Sequence, residues 1–308
     1  MIKYYLRTIK QPRLEVLEKF KVGSWIYVEN PTEEEILKLG KDFKVEEKSL
    51  RDALDPFEVP RLEVDTNRVY VFLRTPLQKE PNQVITLPFL IIVSPDFLMT
   101  VSKEPPPFLE KFIKGRIDFY TTQKTKLFLQ LFSEINSLYY TFLNKINKNV
   151  RAHSIGIEKI KEKDIASFVR FEIVLNDFLN ALSPTKPILN TLLSKQVLEL
   201  YPNDKELIED LLLNNHQLIE TCQSNLKNLV NIRGAYETTL THRLNSRITL
   251  LTILTIICSI PEIVSSFFGM NVKIPLGNHP LAFWEIFTVT LILTVILLII
   301  LIKKLGKL

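Results

Sequence analysis

The stretch Ile248–Asn271, ITLLTILTIICSIPEIVSSFFGMN, organises this chain of 308 residues. Its residues 248–268 are apolar. At about 1.5 Å rise per residue they are long enough to cross a hydrocarbon core of roughly 30 Å as a helix. We therefore predict a first membrane-spanning helix over 248–268.

Polar residues recur every three or four positions along this helix, which places them on one face. They are Asn245, Thr249, Thr252, Thr255 or Ser259, Glu262 and Ser266. A helix in lipid carries such a face where it meets other helices or water, and an ionisable group at that depth indicates function. The alternative is that the hydroxyl groups only bond to carbonyls of their own helix.

A second membrane-spanning helix is predicted over 281–302, with almost no polar face, so it should face the lipid. Basic residues flank the pair on one side, because two arginines precede the first helix and three lysines lie in the tail 303–308. The external loop 269–280 contains Lys273 as its single lysine or arginine. This distribution predicts a plasma-membrane protein with both termini in the cytoplasm.

Composition excludes several other classes. The net charge of +5 comes from scattered basic residues without interleaved aromatic ones, so no nucleic-acid partner is expected. Two cysteines, Cys222 and Cys258, support neither a disulfide framework nor a cysteine zinc site. No secretory signal peptide is expected, and no catalytic motif indicates an enzyme.

The first 120 residues predict an α/β domain. A helix should open at Asn30 as its cap, with Pro31 and acidic residues in its first turn. A second short helix is expected through 49–54. Strands are predicted over 25–28, 68–74, 85–93 and 97–101. One sheet with helices packed on it is the expected architecture.

Residues 121–247 predict a helical region. Three consecutive prolines at 105–107 mark its approach. Helices are expected over 122–149, 157–182 and 187–200, followed by one helix that runs from Asp204 into the membrane, on the order of 100 Å long. Its apolar residues should pack against neighbouring helices or subunits; they are Leu207, Leu211, Leu218, Leu226 and Leu229.

Several of these residues are similar, in order and spacing, to the CorA family of magnesium transporters. In the C-terminal part they are Tyr236, Thr241, Asn245, Leu251-Thr252, Pro261 and Gly269-Met270-Asn271. Upstream they are residues 25–32, 50–55 and Pro60-Arg61. The likeness covers nearly the whole chain and is looser between about 80 and 200. It implies a cytoplasmic α/β/α domain, a stalk helix entering the first of two transmembrane helices, and a homopentameric funnel.

The resemblance implies that Gly269, Met270 and Asn271 form the selectivity filter. Mg²⁺ loses its hydration shell reluctantly, so a ring of Asn271 amides would read the hydrated ion through its waters. Gly269 would supply the backbone freedom that ends the helix, and Met270 would pack, because its sulfur is a soft ligand. The alternative is an ordinary glycine helix stop followed by a polar residue.

In a pentamer each pore-lining residue becomes a ring of five. Asn245 and Thr252 would form polar rings, with Ser259 further along, and Ile248 with Leu251 an apolar constriction that gates by dewetting. Glu262 departs from the family pattern. Five carboxylates in one ring would repel one another, which predicts a bound cation or protonation. Its alternative role is a structural acid bonded to a neighbouring helix.

The resemblance also places Asp52 and Asp210 in a regulatory Mg²⁺ site between subunits. Glu206 and Asp210 are four residues apart on one helix face, where like charges repel, and a divalent cation would relieve that repulsion. Two further family ligands are Leu213 and Asn214 here, and Lys273 replaces an acid that relatives often carry in the external loop. The alternative is a solvated acidic face.

The predicted function is therefore Mg²⁺ influx through a channel gated by intracellular Mg²⁺, with Co²⁺ and Ni²⁺ as further candidate ions. Two alternatives remain open: a zinc-transporting member of the same superfamily, and a membrane-anchored sensor or scaffold without transport. The polar face with Glu262 argues against the scaffold, because a tether needs no such face.

Overall fold

The computed structural model describes residues 1–65, 67–80, 83–154, 160, 162–194, 197–270 and 280–305. The chain forms two compact units, Met1–Arg233 and Gly234–Leu308. The finer division predicted at residues 120, 247, 268, 280 and 302 stays a prediction.

The described strands of the first unit form one seven-stranded sheet. The strands are β1 (Ile2–Leu6), β2 (Glu15–Leu17), β3 (Ser24–Glu29), β4 (Arg61–Asp65), β5 (Arg68–Glu80), β6 (Gln83–Val93) and β7 (Phe97–Ser102). Their order is β2-β1-β3-β7-β6-β5-β4. Neighbours are antiparallel except β3 and β7, which run parallel with Trp25 opposite Leu98.

Except for α3, which was not predicted, the described helices lie within about five residues of the predicted positions, apart from the end of α6. They are α1 (Glu33–Phe43), α2 (Glu47–Asp52), α3 (Leu109–Ile113), α4 (Lys124–Ser154), α5 (Glu162–Leu182), α6 (Thr185–Ser194), α7 (Pro202–Phe268) and α8 (Ala282–Leu305). The prediction of a helix over 187–200 is wrong at its end, because residues 197–200 are not helical. The chain has to leave α6 before α7 begins at Pro202, where proline suits a first helical position.

Both faces of the sheet are covered, which confirms the predicted α/β/α arrangement. On one face, Ile26 and Val28 of β3 pack in a buried cluster with Leu39 of α1 and Leu50 of α2. On the other, Trp25 contacts aromatic rings of α3 and the segment after it, while α4 and α5 lie against β5 and β6. The fully buried indole of Trp25 donates a hydrogen bond to the Thr100 hydroxyl at 2.9 Å.

The cap of helix α1 lies two residues later than predicted. Thr32 is the capping residue: its hydroxyl accepts from the backbone N–H of Glu35, and the Glu35 carboxylate accepts from the N–H of Thr32. This reciprocal pair satisfies two free donors of the first turn. Asn30 instead adopts a φ of 40°, in the left-handed region that asparagine tolerates.

Within the first unit, α7 buries one stripe with alternating spacings of four and three residues. The stripe comprises Asp204, Ile208, Leu211, Asn215, Leu218, Cys222, Asn225, Leu229 and Ile232. This confirms the predicted packing of Leu211, Leu218 and Leu229. Leu226 is partly buried, and Leu207 is 39 % exposed within one chain, so the predicted packing of Leu207 against another subunit stays a prediction. Burial raises the pKa of the Cys222 thiol to about 12, as expected for a packing residue.

Candidate ion pathway and metal sites

Two of the described helices, α7 and α8, contain stretches long and apolar enough to cross a membrane. In the second unit, Ile253, Ile257, Ile260 and Val264 of α7 are partly buried and share one face. Val264 lines an apolar cleft of about 500 Å³ together with residues of α8. This face of α7 therefore packs against α8.

The predicted pore-lining residues lie on a different face of α7. At about 100° per residue, the positions 245, 248, 252, 259 and 262 centre roughly 130° from the face that packs against α8. Asn245, Thr252 and Glu262 are exposed, and Ser259 is half-buried. A helix with this polar face uncovered by its own partner needs another partner, or water, beside it in a membrane.

The hydroxyl groups of this face donate hydrogen bonds to carbonyls four residues earlier in α7. Thr252 Oγ1 donates to the carbonyl of Ile248 at 2.9 Å, and Ser259 Oγ to that of Thr255 at 2.8 Å. The bonds use the one hydroxyl hydrogen and leave the oxygen lone pairs as acceptors. The geometry therefore fits both interpretations: internal bonding, and a face of oxygen acceptors.

Two apolar side chains are also exposed beside these oxygens. Ile248 is 60 % exposed and Leu251 is 62 % exposed, so neither is covered within the described part of one chain. Such positions fit the predicted constriction, because apolar rings exclude water from a narrow pore.

Glu262 follows Pro261, which α7 accommodates without ending. Its carboxylate has no hydrogen bond or ion pair to any residue that the structure describes. The alternative of a structural acid therefore needs a partner beyond the described residues of one chain. An unpaired carboxylate facing lipid would be costly, so this side chain belongs beside water, a cation or another helix.

The predicted filter is described up to Met270, and Asn271 lies outside the described residues. Helix α7 ends at Phe268, and the Gly269 N–H donates to the carbonyl of Ser265 at 2.9 Å. Gly269 does not adopt a positive φ, a conformation that the described glycines Gly23 and Gly115 have. A Cβ on Gly269 would lie 3.3 Å from the Ser265 carbonyl oxygen, a close contact that a small shift of the neighbouring backbone would relieve.

Helix α8 matches its prediction as a helix with little polar character. Its threonine hydroxyls, at 288, 290 and 294, donate to carbonyls four residues earlier at 2.7–2.8 Å. Trp284 is 63 % exposed near the start of the helix, a position that suits a membrane interface.

Within one chain, Asp52 has a partner that the sequence did not predict. It is the last residue of α2, and its Oδ2 accepts from Nη2 of Arg61 at 2.8 Å. Asp210 is exposed on α7 and lines a cleft of about 780 Å³ with Glu206 and Lys124. The described residues of one chain contain no group of three His, Cys, Asp or Glu side chains placed for a metal ion.

These residues fit a metal site only in part. Carboxylate oxygens are the hard ligands that Mg²⁺ prefers, and Asp210 is open to solvent. The Asp52 carboxylate, 25 % exposed, is already used by Arg61. A Mg²⁺ ion at Asp52 would have to share or displace that ion pair. Residue spacing could not reveal the pairing, because a loop separates α2 from β4.

An N-terminal α/β domain, two apolar helices and an exposed polar face on the first of them define a membrane transporter of ions. Comparison with known proteins agrees with this class. Residues 20–304 match the model of the CorA-like Mg²⁺ transporter protein family. The chain therefore belongs to the CorA family of divalent cation transporters, a family of transporters and not of enzymes.

Individual relatives show the same extent of likeness. The cobalt/magnesium transport protein CorA of Methanocaldococcus jannaschii is 24 % identical, over 94 % of this chain and 93 % of the relative. The complete structure of the CorA magnesium transporter from that organism aligns with a TM-score of 0.83 at 21 % identity, covering 99 % of this chain and 96 % of that one. The full-length CmaX protein aligns with a TM-score of 0.72 at 15 % identity, covering 97 % of each chain.

Proposed function

We propose that this protein is a homopentameric channel that carries Mg²⁺ into the cell across the plasma membrane, with Co²⁺ and Ni²⁺ as further candidate ions. One observation carries the proposal: the polar face of α7 is left uncovered by α8 and leads towards Gly269 and Met270. Five copies with these faces turned inward would enclose a pathway, whereas one copy cannot. The relative named as a cobalt/magnesium transport protein supports the choice of ions.

The hydroxyl geometry suits a hydrated cation. Waters bound to Mg²⁺ direct their hydrogens outward, so the wall of the pathway has to supply acceptors. Thr252 and Ser259 give their own hydrogens to backbone carbonyls and keep oxygen lone pairs free. Rings of these oxygens, together with Asn245, would pass the ion without removing its waters, and Asn271 would select it at the mouth.

Glu262 supplies the charge of the proposed pathway. A ring of carboxylates attracts cations and repels anions, and Mg²⁺ would offset the repulsion within the ring. Ile248 and Leu251 form the proposed gate further along the helix. An apolar ring closes by losing its water, so a small change of its radius is enough to stop ion flow.

Regulation is proposed to occur between the α/β domain and the first part of α7, which lie in the cytoplasm when both termini do. Asp52 of one subunit and Asp210 of its neighbour would hold Mg²⁺ when the internal concentration is high. That bridge would favour the closed arrangement, because a ligand that binds one state better shifts the population towards it. Low internal Mg²⁺ would release the bridge and allow influx.

The test is Mg²⁺ influx into liposomes with an inside-negative potential, comparing wild type with Asn271→Ala. Asn231→Ala is the matched control, an exposed asparagine on the first part of α7. We expect influx by wild type and control, and its loss in Asn271→Ala. Unchanged influx in Asn271→Ala would remove this residue from the filter. Zn²⁺ influx without Mg²⁺ influx would contradict the ion assignment, and no flux of any ion would favour a scaffold.

A further inference from the structure

Arg61, the first residue of β4, gathers three carboxylates around its guanidinium group. Its Nη2 donates to Asp52 at 2.8 Å, its Nε donates to Glu63 at 2.6 Å, and its Nη1 contacts Glu58. We call these four residues the Arg61 cluster. Every nitrogen of the guanidinium is therefore used by an acid of the same chain.

The guanidinium of Arg61 also stacks on an aromatic ring. Its Cζ lies 3.8 Å from the ring centroid of Phe72, which is buried and is the cross-strand partner of Arg61 in β5. Stacking on an aromatic face keeps the planar group in one orientation. Burial disfavours the charge of Arg61, but hydrogen bonds and charges, from Glu63 first, outweigh it and raise the pKa. Arg61 thus stays a fixed cation at all physiological pH values.

The loop that joins α2 to β4 is fixed as well. Arg74 donates from Nη1 to the carbonyl of Glu58 at 2.6 Å and from Nη2 to that of Pro56 at 2.8 Å. The side chain of Glu58 therefore belongs to a loop anchored on the sheet. Because the loop and Arg61 are both held against β5, the Arg61 guanidinium has a defined position beside Asp52.

We infer that Arg61 is an internal competitor of the regulatory metal ion for Asp52, and that it sets the Mg²⁺ concentration at which the site fills. The inference rests on the proposed function, since it takes Asp52 as a metal ligand. Three carboxylates against the two guanidinium groups of Arg61 and Arg74 leave an excess of one negative charge, which favours a cation. A guanidinium and a metal ion repel each other, so a metal ion gains Asp52 by weakening its bond to Arg61.

The experiment measures the thermal unfolding midpoint of the full-length protein in detergent as a function of Mg²⁺. Binding to the native state raises the midpoint, which gives an apparent dissociation constant without any measurement of transport. The part of the Mg²⁺-dependent rise in the midpoint that is lost in Asp52→Asn belongs to this site. In Arg61→Gln we expect the Asp52-dependent rise of the unfolding midpoint to be half complete at an Mg²⁺ concentration about tenfold lower than in wild type. The reason is that one competing positive charge is gone. In Arg61→Lys we expect about a two- to threefold shift in the same direction, since lysine engages fewer acids at once.

Arg51→Gln is the matched control. Arg51 also pairs with two acids, Glu33 and Glu47, but its side chain is 43 % exposed and neither acid is a proposed ligand. We expect no shift. If Arg61→Gln does not fold, Arg61→Lys carries the test alone.

An unchanged or weaker Mg²⁺ response in the Arg61 variants, with Asp52→Asn still abolishing it, would overturn the inference and leave the regulatory site standing. Tighter Mg²⁺ binding in Arg61→Gln that persists in the double variant with Asp52→Asn would also overturn the inference. The ion would then bind Glu58 and Glu63 instead of Asp52. If Asp52→Asn alone changes nothing, the regulatory site and the inference both fail.

Discussion

The two parts of α7, residues 202–233 and 234–268, have opposite surface patterns within one helix. In the first part, a mostly polar helix buries one apolar stripe. In the second part none of the described residues is buried, residues 248–268 are mostly apolar, and the polar residues among them form the stripe. A helix hides whichever face its surroundings do not match, so the reversal indicates a change from a watery to an apolar environment.

The largest expected difference concerns leucine truncation in the two parts. Leu229→Ala removes a fully buried side chain and should lower the free energy of unfolding of the first unit by about 2–5 kcal/mol. Leu251→Ala removes one that is 62 % exposed and should leave this stability unchanged. The free energy of unfolding is measured by chemical unfolding, followed by the fluorescence of the buried Trp25. A Trp284→Phe background removes the other tryptophan. Equal destabilisation by both variants would contradict the comparison.

Acidic residues should differ in the same way. Asp204 is buried and its carboxylate accepts from the Tyr201 N–H at 3.0 Å, so Asp204→Ala should cost about 1 kcal/mol of stability with no change of flux. Glu262→Gln should leave the unfolding midpoint unchanged and lower Mg²⁺ flux into liposomes by about tenfold. Flux that is insensitive to Glu262→Gln would show that this carboxylate is a structural acid.

The smallest expected effects come from asparagines. Asn225 is buried, its Nδ2 donates to the carbonyl of Thr221 in its own helix, and its Oδ1 has no partner among the described residues. Asn225→Leu should therefore raise the stability of the first unit by up to about 1 kcal/mol. Asn245 is exposed, so Asn245→Leu should act on Mg²⁺ flux and not on stability. A thermal melt and a flux assay on both variants sharpen the comparison, and loss of stability in Asn225→Leu would contradict it.

Several details of the fold could not be predicted from local sequence. Thr32, and not Asn30, caps α1, because Glu35 is correctly placed to complete the reciprocal pair. Gly269 follows the end of α7 without a positive φ. In each case the residue type correctly indicated a helix end. The exact position and geometry of that end depended on contacts with atoms a few ångströms away.

Arg61 illustrates the limit for the candidate site. Its three acids come from α2, the loop and β4, and its aromatic support comes from β5. No periodic pattern links these positions, since strand pairing and the anchored loop bring them together. The sequence therefore predicted Asp52 as a candidate ligand without predicting the cation that already binds it.

The sequence by itself determined the two apolar helices, the polar face of the first, the α/β character of the N-terminal region and the family, because these depend on periodicity, length and local motifs. Only the tertiary structure decided which face of α7 packs against α8, which residues of its first part are buried, and which partner Asp52 takes. Those depend on contacts between residues far apart in the chain, and such contacts leave no local signal.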